Sequence, residues 1–440
     1  MQRIGGEKMG ILPKNFLIGA VTAAHQVEGN NVYSDAWAQE QMEHSSNLEP
    51  SLDAVDHYNR YKEDIRLLAE VGLNTYRFSI EWARIEPQEG SFNEGEIEHY
   101  RDVIRCCKEN GVKPFVAMHH FTSPKWLITK GGWENEAVIE YFQRYCAYVI
   151  ENLGSELEYV CTINEANMRL QFALVAQKYM RVMQQKAAQD AAGGLQVGVN
   201  FEALMSQQKA AQEETARVFD LENRNDFHPF QSICMPEGDR IVFRAHEAAR
   251  DAMKKICPHL KVGITLSLHD LQSVTGGEET TAKRWDDEFV HYLPYIEKDD
   301  FVGVQNYTRE LMGADGPLPA PTGADLTDMG HEFYPEGLAH VIRKVNQTYK
   351  GDIIVTENGV AAEDDALRVE FIRRAVDGVQ KCIEDGIPVK GYLHWTLIDN
   401  YEWAKAYSVK FGLIAVDRST QKRMPKPSLA YLGSICKSIS

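Results

Sequence analysis

The 440-residue chain has no Cys-x-x-Cys pair, no dense block of lysine and arginine, and no apolar stretch long enough to span a bilayer. Each absence excludes something. Without closely paired thiols, neither a zinc site nor a redox dithiol is expected, and nothing in the sequence calls for a metal or other cofactor. The eight cysteines, at 106, 107, 146, 161, 234, 257, 382 and 436, sit mostly inside apolar runs, as buried free thiols do. With no basic cluster and a net charge of −17, the surface repels nucleic acid and acidic membrane faces, and an uncharged small molecule is the better partner. The opening MQRIGGEKMGILPKNF lacks the apolar core of a secretory signal, so the expected compartment is the reducing cytoplasm.

What is present is a rhythm. Short β-branched or aromatic runs begin at Phe16 (FLIGAVT), Thr75 (TYRFSI), Lys113 (KPFVAMHH), Tyr159 (YVCTINE), Lys261 (KVGITLSL), Asp300 (DFVGVQNY), Asp352 (DIIVTENG) and Val389 (VKGYLHWTL). Most are continuous rather than alternating, as parallel strands covered on both faces are. Helical periodicity fills the gaps: Tyr58, Tyr61, Ile65 and Leu68 share a face before Gly72, and Ile97, Tyr100, Ile104 and Cys107 before Gly111. Val138, Phe142, Tyr145 and Val149 do so before Gly154, and Val369, Ile372, Val376, Val379 and Ile383 before Gly386. The glycines read as helix C-caps. Leu338, Ile342, Val345 and Tyr349 form another such face.

Eight strands separated by helices suggest a single α/β domain over 1–440, a closed (β/α)₈ TIM barrel with elaborated carboxyl-side loops. A doubly wound open sheet is the competing arrangement. Residues 167 to about 258 are too many for one crossover; an insertion over about 167–235, including VMQQKAAQDAAGG, precedes a barrel helix over 240–256. As a carboxyl-side loop it is expected to border the leaving-group side of a cleft, or else to be a surface elaboration.

In such a barrel, polar residues at the carboxyl ends of strands converge on one mouth. Here these are Gln26, Arg77, His119 with His120, Asn164 with Glu165, Tyr307, Glu357 with Asn358, Trp395, and then Glu402 with Trp403. Two carboxylates on apolar strands, at 165 and 357, are costly unless paired or working. Strands four and seven lie nearly across a barrel, so both can reach one ligand. This points to acid chemistry, with glycoside hydrolysis among the reactions such barrels perform. Since adjacent strand residues face opposite ways, His119 is expected in the wall and His120 in the mouth.

These residues also carry a resemblance. FLIGAVTAAHQVEG (16–29), DHYNRYKEDIRLL (56–68), YRFSIEWARIEP (76–87), TINEAN (162–167), VTENG (355–359) and HWTLIDNYEWAKAYSVKFGLIAVD (394–417) resemble, in order, the blocks of glycoside hydrolase family 1, the β-glucosidase family, over nearly the whole chain. The resemblance implies a retaining β-glycosidase acting on a small-molecule β-glycoside or short oligosaccharide without cofactor. Glu357 would be the nucleophile, aimed by Arg77 and Tyr307, and Glu165 the acid/base. Asn164 would hold the 2-hydroxyl, and Gln26, His120 and Glu402 the other hydroxyls, with Trp395 and Trp403 against the apolar sugar face.

There are departures from the family pattern. His120-Phe121-Thr122 replaces His-Trp-Asp, Gln305-Asn306-Tyr307 replaces Asn-Tyr-Tyr, Ala166 replaces proline, Cys161 replaces an aromatic, and 168–195 has no counterpart. Family members acting on 6-phospho-β-glycosides resemble one another in Ser, Lys and Tyr where this chain has Glu402, Val409 and Phe411, so unphosphorylated substrates are expected. The rival readings are a phospho-β-glycosidase, a transglycosylase with the same residues, and a catalytically silent sugar-binding barrel.

Overall fold

A computed structural model describes residues 12–173, 201–223 and 225–439. The apolar runs become parallel strands β1 (Leu17–Val21), β2 (Thr75–Ser79), β3 (Lys113–His119), β4 (Tyr159–Ile163), β5 (Lys261–Ser267), β6 (Phe301–Gln305), β7 (Asp352–Asn358) and β8 (Val389–Trp395). They close in the order β1-β8-β7-β6-β5-β4-β3-β2. The pairing of β1 with β8, from Leu17↔Gly391 to Val21↔Trp395, completes the ring and rules out the open sheet. At Gly19 a Cβ would fall 1.8 Å from the Thr75 carbonyl oxygen, so only glycine lets β1 and β2 approach.

The periodic segments form the outer ring: α1 (His57–Glu70), α2 (Glu94–Glu109), α3 (Ala137–Leu153), α4 (Pro236–Ile256), α5 (Glu278–Glu288), α6 (Gly337–Thr348), α7 (Asp365–Glu384) and α8 (Pro427–Lys437). Their apolar faces pack on the outward residues of the sheet, such as Tyr76, Val116, Val160 and Ile264, to make the larger core. Leu17, Phe115, Cys161, Phe301, Ile354 and Leu393 fill the barrel interior. Both faces of the strands are therefore buried, which is why they read as unbroken apolar runs.

Gly72, Gly111 and Gly386 have φ of 94°, 72° and 82°, the left-handed conformation expected after a helix. Gly154 does not. Its φ is −59°, and the chain runs on into a 3₁₀ turn, Gly154–Glu156. Its small size instead serves packing, because a Cβ there would lie 2.7 Å from Ile150 Cγ2.

After β8 the chain makes an antiparallel hairpin, Ile414–Asp417 with Lys422–Pro425. Arg423 on this hairpin donates from Nε and Nη2 to the two oxygens of Asp64 on α1, at 2.8 and 2.9 Å, and His57 Nδ1 meets the same carboxylate at 2.7 Å. The pair is buried and fastens the last segment of the chain to its first barrel helix. A small sheet of Asp270–Ser273, Arg309–Gly313 and Gly316–Pro317 elaborates the loops after β5 and β6.

Of the 167–235 insertion, 174–200 lies outside the described residues, and with it VMQQKAAQDAAGG. A helix, Phe201–Val218, follows. Its Glu214 accepts from the backbone N–H groups of Glu43 and His44 at 2.8 and 3.0 Å, in the long segment after β1. Among the described residues no helix is long and apolar enough to cross a membrane.

Candidate active site

The carboxyl ends of the strands surround a cleft of about 510 Å³. Glu165 and Glu357 both line it. Glu357 is the penultimate residue of β7, where the ladder to β6 skips a residue between Val355 and Glu357, so that Glu357 pairs with Gln305. Such an irregularity re-aims a side chain. Here it turns Glu357 to the interior, while Asn358 bonds the Asn306 carbonyl and the Tyr392 hydroxyl at 2.6 and 2.9 Å.

Both oxygens of Glu357 are held. Arg77 Nη1 donates to Oε1 at 2.7 Å, and the Tyr307 hydroxyl donates to Oε2 at 2.7 Å. Arg77 itself is wholly buried inside the barrel. Its Nη2 donates to Asn164 Oδ1 at 2.6 Å, so one guanidinium orients two groups of the site. Burial raises the Glu357 carboxyl above its ordinary value, while Arg77 and Tyr307 pull the other way.

Glu165 follows β4 with a φ of +45°, a left-handed conformation uncommon for a side-chain-bearing residue. Two bonds hold this turn: Glu165 N–H to Thr265 Oγ1 at 2.9 Å, and Ala166 N–H to the Thr265 carbonyl at 3.0 Å. A proline at 166 could not make the second. Among the described residues, Glu165 has no paired cation comparable to Arg77 on Glu357. Burial first, and then the charge of Glu357, push its carboxyl up to about 8. Arg77 and the Tyr307 hydroxyl oppose the rise at Glu357, whereas the charge of Glu357 adds to the rise at Glu165.

The remaining residues named from sequence gather as follows. Asn164 Oδ1 is taken up by Arg77, Gln305 and Thr265, at 2.6, 2.8 and 3.2 Å. This fixes the amide, and its nitrogen meets His120 Nε2 at 3.3 Å. His120 Nε2 is therefore the acceptor and Nδ1 carries the proton. Burial, with Arg77 and His119 nearby, holds the ring neutral. His120 also lies against Trp395, with ring centroids 5.6 Å apart and planes 22° apart.

Gln26, in a short helix Ala24–Val27 after β1, donates to the Tyr401 carbonyl at 2.7 Å. Gln26 Oε1 and His120 Nδ1 are both buried without a hydrogen-bond partner among the described residues. Trp395 Nε1 donates to Glu402 at 3.2 Å. Burial pushes the Glu402 carboxyl up to about 8, with Trp395 opposing and Glu357 adding to the effect. Trp403 stacks on His25, centroids 5.6 Å apart and planes 9° apart. His119 points into the wall as expected, its Nε2 3.1 Å from Ser123 Oγ.

Sequence reading named no residue on β5. Thr265 supports Glu165 and Asn164 from there, and Gln305 on β6 joins it. Polar Thr265 and Ser267, two apart in an apolar run, were the available signal. It also named no part of a further wall that includes His269, Arg284, Glu310 and His331. Among the described residues no group of three His, Cys, Asp or Glu is placed to hold a metal ion.

Comparison with known proteins agrees with this geometry. The family model described as Glycosyl hydrolase family 1 matches residues 8–212 and 297–439. Beta-glucosidase A of Thermotoga maritima is 28% identical over 480 residues, covering 97% of each chain. The 1,4-beta-D-glucan glucohydrolase of Thermotoga neapolitana is 29% identical over 454 residues, covering 97% of this chain and 98% of its own. Among solved structures, the beta-glycosidase BGL167 superposes with a TM-score of 0.86 at 44% identity, over 97% of both chains. The Thermotoga maritima beta-glucosidase in complex with deoxynojirimycin does so with a TM-score of 0.79 at 25% identity, over 98% of this chain and 99% of its own. With a closed parallel barrel, two carboxyls at its mouth and a family match along most of its length, the chain belongs to glycosyl hydrolase family 1 and is a glycoside hydrolase of β-glycosides.

Proposed function

We propose that the chain is a retaining β-glycosidase that removes non-reducing β-D-glucosyl units from small-molecule β-glycosides or short oligosaccharides, and that it also accepts β-galactosides and β-fucosides. The observation that carries this reading is the contrast between Glu165 and Glu357: one cleft, two carboxyls and, among the described residues, cationic and phenolic donors on only one of them. Anionic Glu357 attacks the anomeric carbon while Glu165 gives its proton to the departing glycosidic oxygen, leaving a glycosyl ester on Glu357. That ester no longer carries the charge that raised Glu165, so Glu165 becomes the base that deprotonates the incoming water. The water's oxygen bonds the anomeric carbon and Glu357 leaves as a carboxylate.

Asn164, with its oxygen consumed, offers its nitrogen to the sugar 2-hydroxyl. Gln26 Oε1 and His120 Nδ1 are the kind of buried, unpartnered atoms that hydroxyls satisfy, and Glu402 lies beside them. Trp395 and Trp403 offer apolar faces to the ring. Unphosphorylated substrates are supported by Glu402 and Phe411 on the cleft wall, where the only lysine or arginine among the described residues is Arg284, held by Glu288 at 2.6 Å. Met168, Gln171 and Phe172 line the cleft, which supports a leaving-group role for the 167–235 insertion. All eight cysteines are thiols, in keeping with a cytoplasmic location.

The test is turnover of 4-nitrophenyl β-D-glucoside, with the galactoside, fucoside and 6-phosphoglucoside alongside, following the first-formed sugar by ¹H NMR. The β-anomer of glucose should appear first. An α-anomer would mean inversion, and preference for the 6-phosphate would overturn the substrate assignment.

A further inference from the structure

Trp403 lines the cleft and is backed by a buried ion pair that this chemistry leaves unused. His25 lies flat against the indole, and its Nε2 meets Glu40 Oε1 at 2.8 Å. The other oxygen of Glu40 accepts from the Ser51 N–H and hydroxyl, at 2.9 and 2.6 Å. Neither side chain of the pair touches solvent. His25 Nδ1 faces the Asn31 amide, whose nitrogen is 3.2 Å away and whose oxygen is buried with no partner among the described residues. That amide can donate to a neutral ring or, turned over, accept from a charged one.

The surroundings favour the charged ring. Burial opposes it, but Glu40, helped by Glu81 and Asp35, outweighs burial and holds His25 above its ordinary value. On Glu40 burial acts to raise the carboxyl, while His25 and Ser51 hold it below its ordinary value. The groups facing the ring are Glu40 and Asp35 on the short helix Asp35–Glu40, Glu81 after β2, and Tyr401 after β8, edge-on at 6.0 Å. A buried ion pair seldom adds net stability over apolar packing, so what this one supplies is place and charge. Trp403 has use for both. Its φ is +48°, as is that of Ala406, a conformation that side-chain-bearing residues avoid. The short helix Ala24–Val27 ties this loop down with consecutive residues: Gln26 takes the Tyr401 carbonyl at 2.7 Å, and His25 backs the indole. An imidazolium within about 6 Å of an indole centroid is attracted to its face, the more so out of water.

We propose that His25 is a positioning residue for sugar binding: as an imidazolium paired with Glu40 it fixes the Trp403 indole against the sugar ring, and the site loses affinity when that charge is lost. The inference rests on reading Trp403 as a wall of the sugar site, and its test separates the two. Because the charged ring is the effective one, its contribution is complete below the titration of His25 and is lost as pH rises through it. Asp35, pushed up to about 7 by burial, gains charge as pH rises and so extends the range over which the ring stays charged.

Calorimetry on the full chain measures binding of methyl 1-thio-β-D-glucoside, a neutral ligand that is not cleaved, across pH. Glu40→Gln removes the charge that favours the imidazolium yet leaves the ring its partners, since the new amide donates to Nε2 and Nδ1–H donates to Asn31. Below the titration of His25 the variant should bind about 3- to 30-fold more weakly than wild type. The difference should shrink as pH rises, because only the wild type has that charge to lose. KM for 4-nitrophenyl β-D-glucoside should rise in step while kcat stays within about twofold, as for a contact made equally in ground and transition states. Trp403→Ala should weaken binding by itself, and adding Glu40→Gln to it should cost less than about twofold, because the charge acts through the indole. His25→Phe, a stacked ring without charge, gives the same comparison should Glu40→Gln fail to fold. Wild-type affinity in the folded variants, a difference that does not change with pH, or a cost undiminished in the Trp403→Ala background overturns the proposal. Failure of the underlying reading shows separately, as wild-type affinity in Trp403→Ala alone.

Discussion

Tyr307→Phe is the sharpest probe of how Glu357 is held. The hydroxyl donates to Glu357 Oε2 at 2.7 Å, while Arg77 serves Oε1 at the same distance. Burial first, and then the nearby charge of Glu357, keep that hydroxyl protonated well above its ordinary range, so it is a donor at every working pH. Phenylalanine keeps the ring and its edge contact to Phe411, with centroids 6.2 Å apart. What is lost is one hydrogen bond to a charged acceptor, worth roughly 1.5–3 kcal/mol. At about 1.4 kcal/mol per tenfold, kcat/KM should fall by about 10- to 150-fold, with Arg77 preventing complete loss. Because the bond favours the anion, its removal also makes Glu357 harder to ionise, and the acid limb of the pH profile should move to higher pH. The assay is kcat/KM for 4-nitrophenyl β-D-glucoside across pH, with the rate of inactivation by 2-deoxy-2-fluoro-β-D-glucosyl fluoride isolating the attack step. A variant within about threefold of wild type, less than ~1 kcal/mol, with its acid limb unmoved would show that Tyr307 does not position the nucleophile.

Further expectations follow from the buried carboxyls. Glu165 must carry its proton to act as acid and is raised to about 8, so kcat/KM should decline as pH rises through that value. In the trapped glycosyl-enzyme, ¹³C NMR should find Glu165 titrating lower than in the free protein, because the charge of Glu357 is gone; an unchanged titration would sink the acid-to-base switch. Arg423→Met leaves Asp64 buried without its guanidinium, a loss of about 3–5 kcal/mol, read as a lowered Tm and urea midpoint. Burial raises the Asp64 carboxyl, but Arg423 and His57 outweigh it and hold it below the ordinary value. The folded value is thus below the unfolded one. The stabilisation is present above the unfolded value, near ~3.9, and is lost as pH falls through the folded one, so wild type and variant should converge in acid.

The barrel was legible because its strands are covered on both faces and so appear as apolar runs, with helix faces such as Val138, Phe142, Tyr145 and Val149 between them. The residues at the mouth were legible because strand ends in such a barrel converge, and the family resemblance told which of them to weigh. Local geometry was less visible. Gly154 looked like the other helix-ending glycines, yet it is there for close packing against Ile150. The register shift before Glu357 leaves no compositional mark. Thr265 and Gln305 act through bonds to Asn164 that connect strands far apart in sequence. The wall holding Glu310 comes from two separate loops, and neither carries a periodic pattern that would reveal their meeting.

The most direct test of the central claim is Glu357→Gly assayed with 4-nitrophenyl β-D-glucoside, with and without azide. The variant should be nearly inert alone. Azide should restore turnover from the face left open by the missing carboxylate, releasing the α-glucosyl azide. No rescue, or rescue that yields the β-azide, would contradict the assignment of Glu357 as the nucleophile of a retaining enzyme.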